Sequence, residues 1–317
     1  MIALAGCRTS TGEWTVLGLG RSAASGRQHG EIVKLSDVVE SVTEALRMAE
    51  KISGLRCRKL YFNFDDAQMV AAQPVGSKSL SGEGQIRRED VREAARSASR
   101  MADDFNLSPV YARETGYLID GKDPVGDPVG VYGHRLDVTL HVLLARATVA
   151  EQWKNVMRRS QVERFVPVLS LDSVCRSVLE RLHKRCIVWD LGDDFTSGGV
   201  ADNGVLRAYQ VFLTSEAGPE GLAARIEEIS RGWMKDHEVT EPLVLSGDRA
   251  SAVSLTLGST VASARSVAGL DSPSNTALVG LLEGASQRER RIAALRSSGQ
   301  WARHAREKAN AFIQEYF

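Results

Sequence analysis

The stretch Cys186–Gln210, CIVWDLGDDFTSGGVADNGVLRAYQ, decides how the rest of the chain is read. Ile187-Val188-Trp189 is a short apolar run of the kind a buried strand carries. It ends in Asp190-Leu191-Gly192. A second strand is expected over Val205–Phe212, after the turn signal Asp202-Asn203-Gly204. A strand ending in Asp-x-Gly beside a polar loop is a place where backbone amides can wrap a phosphate. Asp193, Asp194 and Phe195 come next. They put two carboxylates where such a cradle needs bare amides, so the stretch reads as a nucleotide loop turned against its ligand. A carboxylate about 4 Å from a phosphate charge costs roughly 4 kcal/mol at an effective dielectric near 20. Two of them offset the roughly 8 kcal/mol of micromolar binding. Mg²⁺ held by Asp190, Asp193 and Asp194 would reverse that balance. The plainer expectation, and the favoured one, is a solvated hairpin loop at Asp193-Asp194.

Composition narrows the classes. The chain has 317 residues, 43% hydrophobic and 25% charged, with a formal net charge of zero. That length suits about two domains. No global basic field argues for nucleic acid. The four cysteines, Cys7, Cys57, Cys175 and Cys186, form no Cys-x-x-Cys and fit a reducing compartment. His134 and His141 lie seven apart on an expected strand pair and are weak metal candidates. The first residues are too short for a signal peptide, and no apolar run reaches a membrane span.

Working outward, Ile2–Ala5 and Trp14–Leu19 read as a hairpin across Thr11-Gly12. Gly18-Leu19-Gly20 opens no helix, which weakens a dinucleotide reading. A helix follows, capped by Ser36, with Val38, Val39, Val42, Leu46, Met48 and Ala49 on its apolar face and Gly54 as its stop. Leu60–Phe64 is a strand. Val70–Pro74 is a short strand and Ser77–Gln85 a polar loop. Arg88–Met101 is a helix with a solvated face. Val110–Ile119 is extended, and Lys122–Gly133 is a turn. Arg135–Leu144 alternates as a half-buried strand. Thr148–Ser160 is a helix, Phe165–Leu171 a strand and Val174–Leu182 a helix. Beyond the central stretch, Leu222–Trp233 is a helix and Leu243–Gly247 a strand with a tight turn. Ala277–Leu282 starts another helix, and the chain from Gln287 is basic and amphipathic. Trp189 and Phe195 are expected to fill space in a closed cleft.

The segment GYLIDGKDPVGDPVGVYGHRLDVTLHVL, with Pro128, Val129, Gly130, Gly133, Arg135, Leu136 and His141, resembles the signature of a subdomain called 1C in the FtsA family. FtsA is a bacterial cell-division branch of the actin-like ATPases. Ser25, Gly26, Gly30 and Ile32 resemble the family's lead-in. Ala49, Glu50 and Gly54 resemble its helix end. Leu243–Gly247 resembles its adenosine-side turn, and Gly269-Leu270 with Ala277 and Gly280 its closing helix. The resemblance runs over nearly the whole chain and implies an α/β fold. That fold is an actin-like (ribonuclease H-like) core with an inserted α+β subdomain of 1C/SHS2 type. The implied parts are 1–66 and 145–184 for subdomain 1A, 67–144 for 1C, 185–285 for a reduced 2A, and 286–317 for a basic tail.

The departures are specific. The family's first strand and phosphate loop precede the residue that begins this chain. The second phosphate loop carries Asp193 and Asp194 in place of glycines, and Asp248 replaces a glycine of the adenosine turn. Most of subdomain 2B is missing between Thr214 and Leu222. The remnant loops are therefore Asp190, Gly192, Asp193, Asp194, Ser246 and Gly247. No cofactor is expected, with ATP and Mg²⁺ as the alternative.

Past Gly299, residues Trp301, Ala305, Ala309, Phe312, Ile313 and Tyr316 share one helical stripe, while Arg303, Arg306 and Lys308 flank it or lie off it. Phe317 ends the chain. This is the pattern of an interfacial membrane helix. It is similar in place and ending to the membrane-targeting helix of the FtsA family. The expectation is a non-enzymatic scaffold and membrane adaptor, peripheral on the inner face of the cell membrane. It would hold a partner of the division or envelope machinery and self-associate through 1C. Two alternatives stand. One is an ATP-binding protein whose phosphate loop is encoded upstream of Met1. The other is a pilus-type adaptor that binds a short peptide of a membrane partner.

Overall fold

The computed structural model describes residues 1–8, 14–28, 30–102, 104–122, 124–179, 185–216, 219–240, 243–262, 270 and 272–297. Strands β1 (Ile2–Arg8) and β2 (Trp14–Arg21) form an antiparallel hairpin. A small hairpin, β3 (Arg27–Gln28) and β4 (Glu31–Ile32), leads into helix α1 (Leu35–Ser53). Alanine and valine dominate the buried face of α1: Val38, Val42, Ala45, Leu46 and Ala49, with Ser41 between them. The helix is capped two residues earlier than expected. Lys34 is the N-cap, and Ser36 lies inside the first turn with its hydroxyl on Asp37. Met48 is a second correction, because it stands in solvent. Gly54 ends the helix at φ 68°, a left-handed conformation that glycine adopts without strain. The hairpin lies close on α1 because a Cβ at Gly20 would sit 1.9 Å from the Ala45 carbonyl oxygen.

Strand β5 (Lys59–Phe64) pairs in parallel with β10 (Arg164–Leu169), the two joined through the insertion and helix α3 (Ala147–Arg159). The insertion contains β6 (Val70–Ala72), β7 (Val75–Gln85), helix α2 (Arg88–Met101), β8 (Leu107–Ile119) and β9 (Tyr132–Arg146). Strand β9 is its centre, with β8 on one edge and β6 and β7 on the other. The expected half-buried strand is in fact covered on both faces. Leu136, Val138, Leu140, Val142 and Leu144 pack with α2, while Leu143 joins the main core and Ala145 the core around α1. The expected loop Ser77–Gln85 is a strand. Its serines and glycines suit an edge whose Gly76 lies against the α2 backbone, where a Cβ would be 2.1 Å from the Ala94 oxygen.

Helix α4 (Ser170–Leu179) starts directly after β10, four residues earlier than the periodicity predicts. The second half is a mixed sheet in the order β13-β12-β11-β14-β15. Its members are β11 (Arg185–Leu191), β12 (Phe195–Asp202), β13 (Val205–Leu213), β14 (Leu243–Ser246) and β15 (Ser259–Val261). Strand β12 was not legible as a strand. Gly198 and Gly199 hide it in sequence. A Cβ at Gly198 would lie 2.3 Å from the Trp189 ring, so the indole needs a bare strand beneath it. Helix α5 (Pro219–Asp236) is the only helix of more than one turn between β13 and β14 among the described residues, where the resemblance implies subdomain 2B. Helix α6 (Thr276–Ser297) packs on α4, and a Cβ at Gly280 would be 1.7 Å from the Ser173 oxygen. This single helix runs through residue 286, where the basic tail was expected to begin. The membrane-tail residues Trp301, Arg303, Arg306, Lys308, Phe312, Ile313, Tyr316 and Phe317 lie outside the described residues.

Candidate functional site

Two halves meet where parallel strands end. Asp65 and Asp66 follow β5, Ser170 follows β10, Asp190 is the next-to-last residue of β11, and Ser246 closes β14. The crevice beyond the carboxyl ends of such strands is where open α/β sheets place ligands.

The loop after β11 is tightly tied. Gly192 N–H donates to the Phe195 carbonyl at 2.9 Å, and Thr214 N–H to the Asp194 carbonyl at 3.0 Å. The Thr214 hydroxyl donates to the Gly192 carbonyl at 2.9 Å. Asp193 and Asp194 occupy the hairpin turn, and each meets a cation. Arg249 Nε lies 3.1 Å from Asp193, and Arg27 Nη2 lies 3.1 Å from Asp194. Since Arg27 belongs to β3, that second bridge joins the two halves. Phe195 closes the same gap. A Cβ at Gly30 would stand 1.8 Å from the Phe195 ring, so glycine there admits the phenyl group.

The β14 turn is engaged in the same way. Gly247 has φ 94°, and a Cβ on it would fall 2.5 Å from the Leu191 oxygen. Its N–H donates to the Pro273 carbonyl at 3.2 Å. The amides of Gly192 and Gly247, which a phosphate would use, both donate inside the protein. Asp190, Asp193 and Asp194 take separate partners and do not converge. Among the described residues no group of three His, Cys, Asp or Glu is arranged to hold a metal.

Asp65 and Asp190 are the unusual carboxyls here. Both keep some residue surface, yet each carboxyl is ringed by protein. Burial pushes Asp65 up to about 6, against the Ser170 hydroxyl that donates to it. Burial first, and then the Asp65 charge, push Asp190 up to about 7, while a hydrogen bond with Ser246 opposes the rise. Asp66 behaves oppositely. Burial raises it, but the hydrogen bonds from Arg146 together win and hold it below its usual range. Arg146 Nη2 lies 2.7 Å from Asp66 and Nη1 lies 2.9 Å from Glu31.

Sequence reasoning did not single out Asp65, Asp66 or Arg27. The available signal was an Asp-Asp pair directly after an apolar strand. Trp189 does not fill the cleft: it packs on the face of the sheet that carries α5, stacks on Trp233 at 5.4 Å, and its Nε1–H donates to Ser230 at 3.0 Å. His141 is buried, with an edge of Tyr111 at 6.2 Å, and desolvation pushes it down to about 4, so it is neutral. His134 lies exposed at the other end of β9, beside Asp120.

A second cleft lies between the insertion and the core. Phe62, Phe64, Trp153, Phe165, Pro109 and Pro167 line it, with Lys154 at its edge. Phe62 and Trp153 stand 5.8 Å apart, ring to ring. Its chemistry is apolar and aromatic, suited to short apolar side chains rather than to phosphate.

Comparison with known proteins agrees with this architecture. Residues 68–144 match the SHS2 domain inserted in FtsA. The cell division protein FtsA of Pseudomonas aeruginosa is 22% identical over 210 residues, 65% of this chain and 50% of that protein. FtsA of Bacillus subtilis is 25% identical over 205 residues, 62% of this chain and 45% of that protein. The matched region spans about half the length of these relatives. Among solved structures, a chain of the PilM-PilN type IV pilus biogenesis complex superposes with a TM-score of 0.62. That match has 12% identity and covers 89% of this chain and 95% of the other, which shows a shared fold. This chain is similar to FtsA: an α/β protein of actin-like fold whose residues 68–144 match the SHS2 domain inserted in FtsA.

Proposed function

We propose that this chain is a non-enzymatic FtsA-like scaffold that tethers a partner of the division or envelope machinery to the inner face of the cell membrane. One observation carries the reading: the protein's own groups fill the cleft. Phe195 seats on Gly30, Asp194 bridges to Arg27, and the Gly192 and Gly247 amides donate internally. A nucleotide would have to break these contacts and approach two carboxylates, each costing roughly 4 kcal/mol against a phosphate charge.

Calorimetric titration of the protein with ATP and Mg²⁺ tests this. The expected dissociation constant is weaker than about 100 µM. A low-micromolar constant rejects the reading and favours the ATP-binding alternative. Asp193→Gly combined with Asp194→Gly should strengthen whatever binding exists, because it releases Arg249 and Arg27 to face a phosphate.

The aromatic cleft supports a second reading within the same class: an adaptor that holds a short peptide of a membrane partner. The solved chain that shares this fold comes from a complex with a second pilus protein, PilN. Ala150 lines the cleft, so Ala150→Arg would fill it. That variant should lose the partner in co-precipitation from the native host and keep its sedimentation with vesicles. Retention of the same partner rejects the cleft as the docking place.

A further inference from the structure

Helix α1 has a second face that nothing among the described residues covers. Met48, Ile52 and Leu55 are 42%, 63% and 55% exposed at its last turn and just beyond. Met48 and Ile52 are four apart, so they stack on one side of the helix. Gly54 then turns the chain, with open space around it, and brings Leu55 after them.

Four exposed cations surround this apolar set. Arg47 and Lys51 flank it on the helix, and Arg56 and Arg58 follow the cap. None of the four side chains makes a hydrogen bond or ion pair among the described residues. Glu50 is tied to the Cys57 amide at 2.7 Å, which leaves exposed Glu44 as the near acidic group on the helix.

The same corner receives the end of the described chain. Lys59, next after Arg58, places its Nζ 2.6 Å from Glu289 of α6, and the Tyr61 hydroxyl donates to the same carboxylate at 2.5 Å. Eight residues of α6 remain beyond Glu289.

We propose that the end of α1 is a second membrane contact, and that its occupant is an anionic phospholipid surface. The inference rests on the membrane-adaptor reading. Large apolar side chains at the acyl boundary, with arginine and lysine at the head groups, are the chemistry of interfacial binding. Charge decides against the other occupants. A second copy related by two-fold symmetry would set these four cations against their own duplicates. The chain's own tail would bring Arg303, Arg306 and Lys308 to the same place. A second contact, added to that of the tail, would also limit how the protein stands on the membrane.

The test uses the full chain with vesicles of phosphatidylserine and phosphatidylcholine at low salt. Ile52→Ser with Leu55→Ser should lower the vesicle-bound to free ratio about tenfold. Arg47→Glu with Lys51→Glu should do so by about as much, and its effect should vanish on pure phosphatidylcholine. All substituted positions are exposed, and unchanged thermal midpoints will show that the variants fold. If the wild type does not sediment at all, the adaptor reading fails and this contact fails with it. If the wild type sediments and both variants follow it equally, the tether stands and the α1 contact is overturned. Variants that change oligomeric state while vesicle binding is unchanged would make this face a protein interface instead, which also overturns it.

Discussion

An Asp190→Asn chain should be more stable than the wild type at pH 8 by about 2 to 3 kcal/mol, and should lose much of the wild type's pH dependence. The Asp190 carboxyl sits at about 7 in the folded chain, raised mainly by burial and next by Asp65. In the unfolded chain an aspartate titrates near 3.9. Between these values the folded state holds the extra proton. Its stabilising contribution is thus full below about pH 4 and is lost as pH rises through 7. Asp65, at about 6, adds a loss of the same sign over a slightly lower window. The full span of the Asp190 shift would exceed 3 kcal/mol, and the residual exposure of the residue lowers the expectation. Asparagine keeps the acceptor for Ser246 and removes the charge that Asp65 feels, so a further Asp65→Asn substitution will not add its full effect. Denaturant unfolding of both chains from pH 4 to 8 measures this. Parallel profiles for wild type and variant would refute it.

The same pair shows what the sequence could and could not tell. The strand at Ile187–Trp189 and its Asp-x-Gly ending were legible from local pattern, because an apolar run and a turn residue are local facts. The inserted SHS2 domain was legible as a resemblance, carried by Gly130, Gly133, Arg135 and His141 and the residues around them. The closure of the cleft was not. Asp194 meets Arg27, and Phe195 meets Gly30, across about 165 residues of chain, and no local period encodes that. Strand β12 was missed because glycine pairs lower strand propensity while serving the Trp189 ring above them. The loop at Ser77–Gln85 was misread because an edge strand can be polar on both sides when its pairing comes from β9. The helix cap at Ser36 failed for a related reason: burial of Val38 and Val42 sets where α1 begins, and the nearest hydroxyl does not.

Removing the tail should abolish vesicle binding almost entirely: the full chain should sediment with anionic vesicles and a chain ending at Ser298 should not. Trp301, Phe312, Ile313 and Tyr316 lie on one helical stripe in the sequence, with Arg303, Arg306 and Lys308 beside it or off it. Each large apolar side chain that enters the acyl boundary contributes about 1.5 to 3 kcal/mol, and each cation near an anionic surface about 1. The cost of ordering the segment opposes this, so the binding is reversible. A modest sum is one that single features can tip. The α1 contact has three apolar side chains and four cations, but Met48, Ile52 and Leu55 are only 42%, 63% and 55% exposed and so bury less new area than free side chains, enough to change a reversible partition and not to hold the protein alone. Full-length protein should therefore respond to salt, because screening weakens the cationic share while the apolar share persists. Sedimentation of the two chains at low and high salt separates these shares. Equal sedimentation of both chains would remove the tail as the anchor and leave the α1 corner to carry any binding that remains.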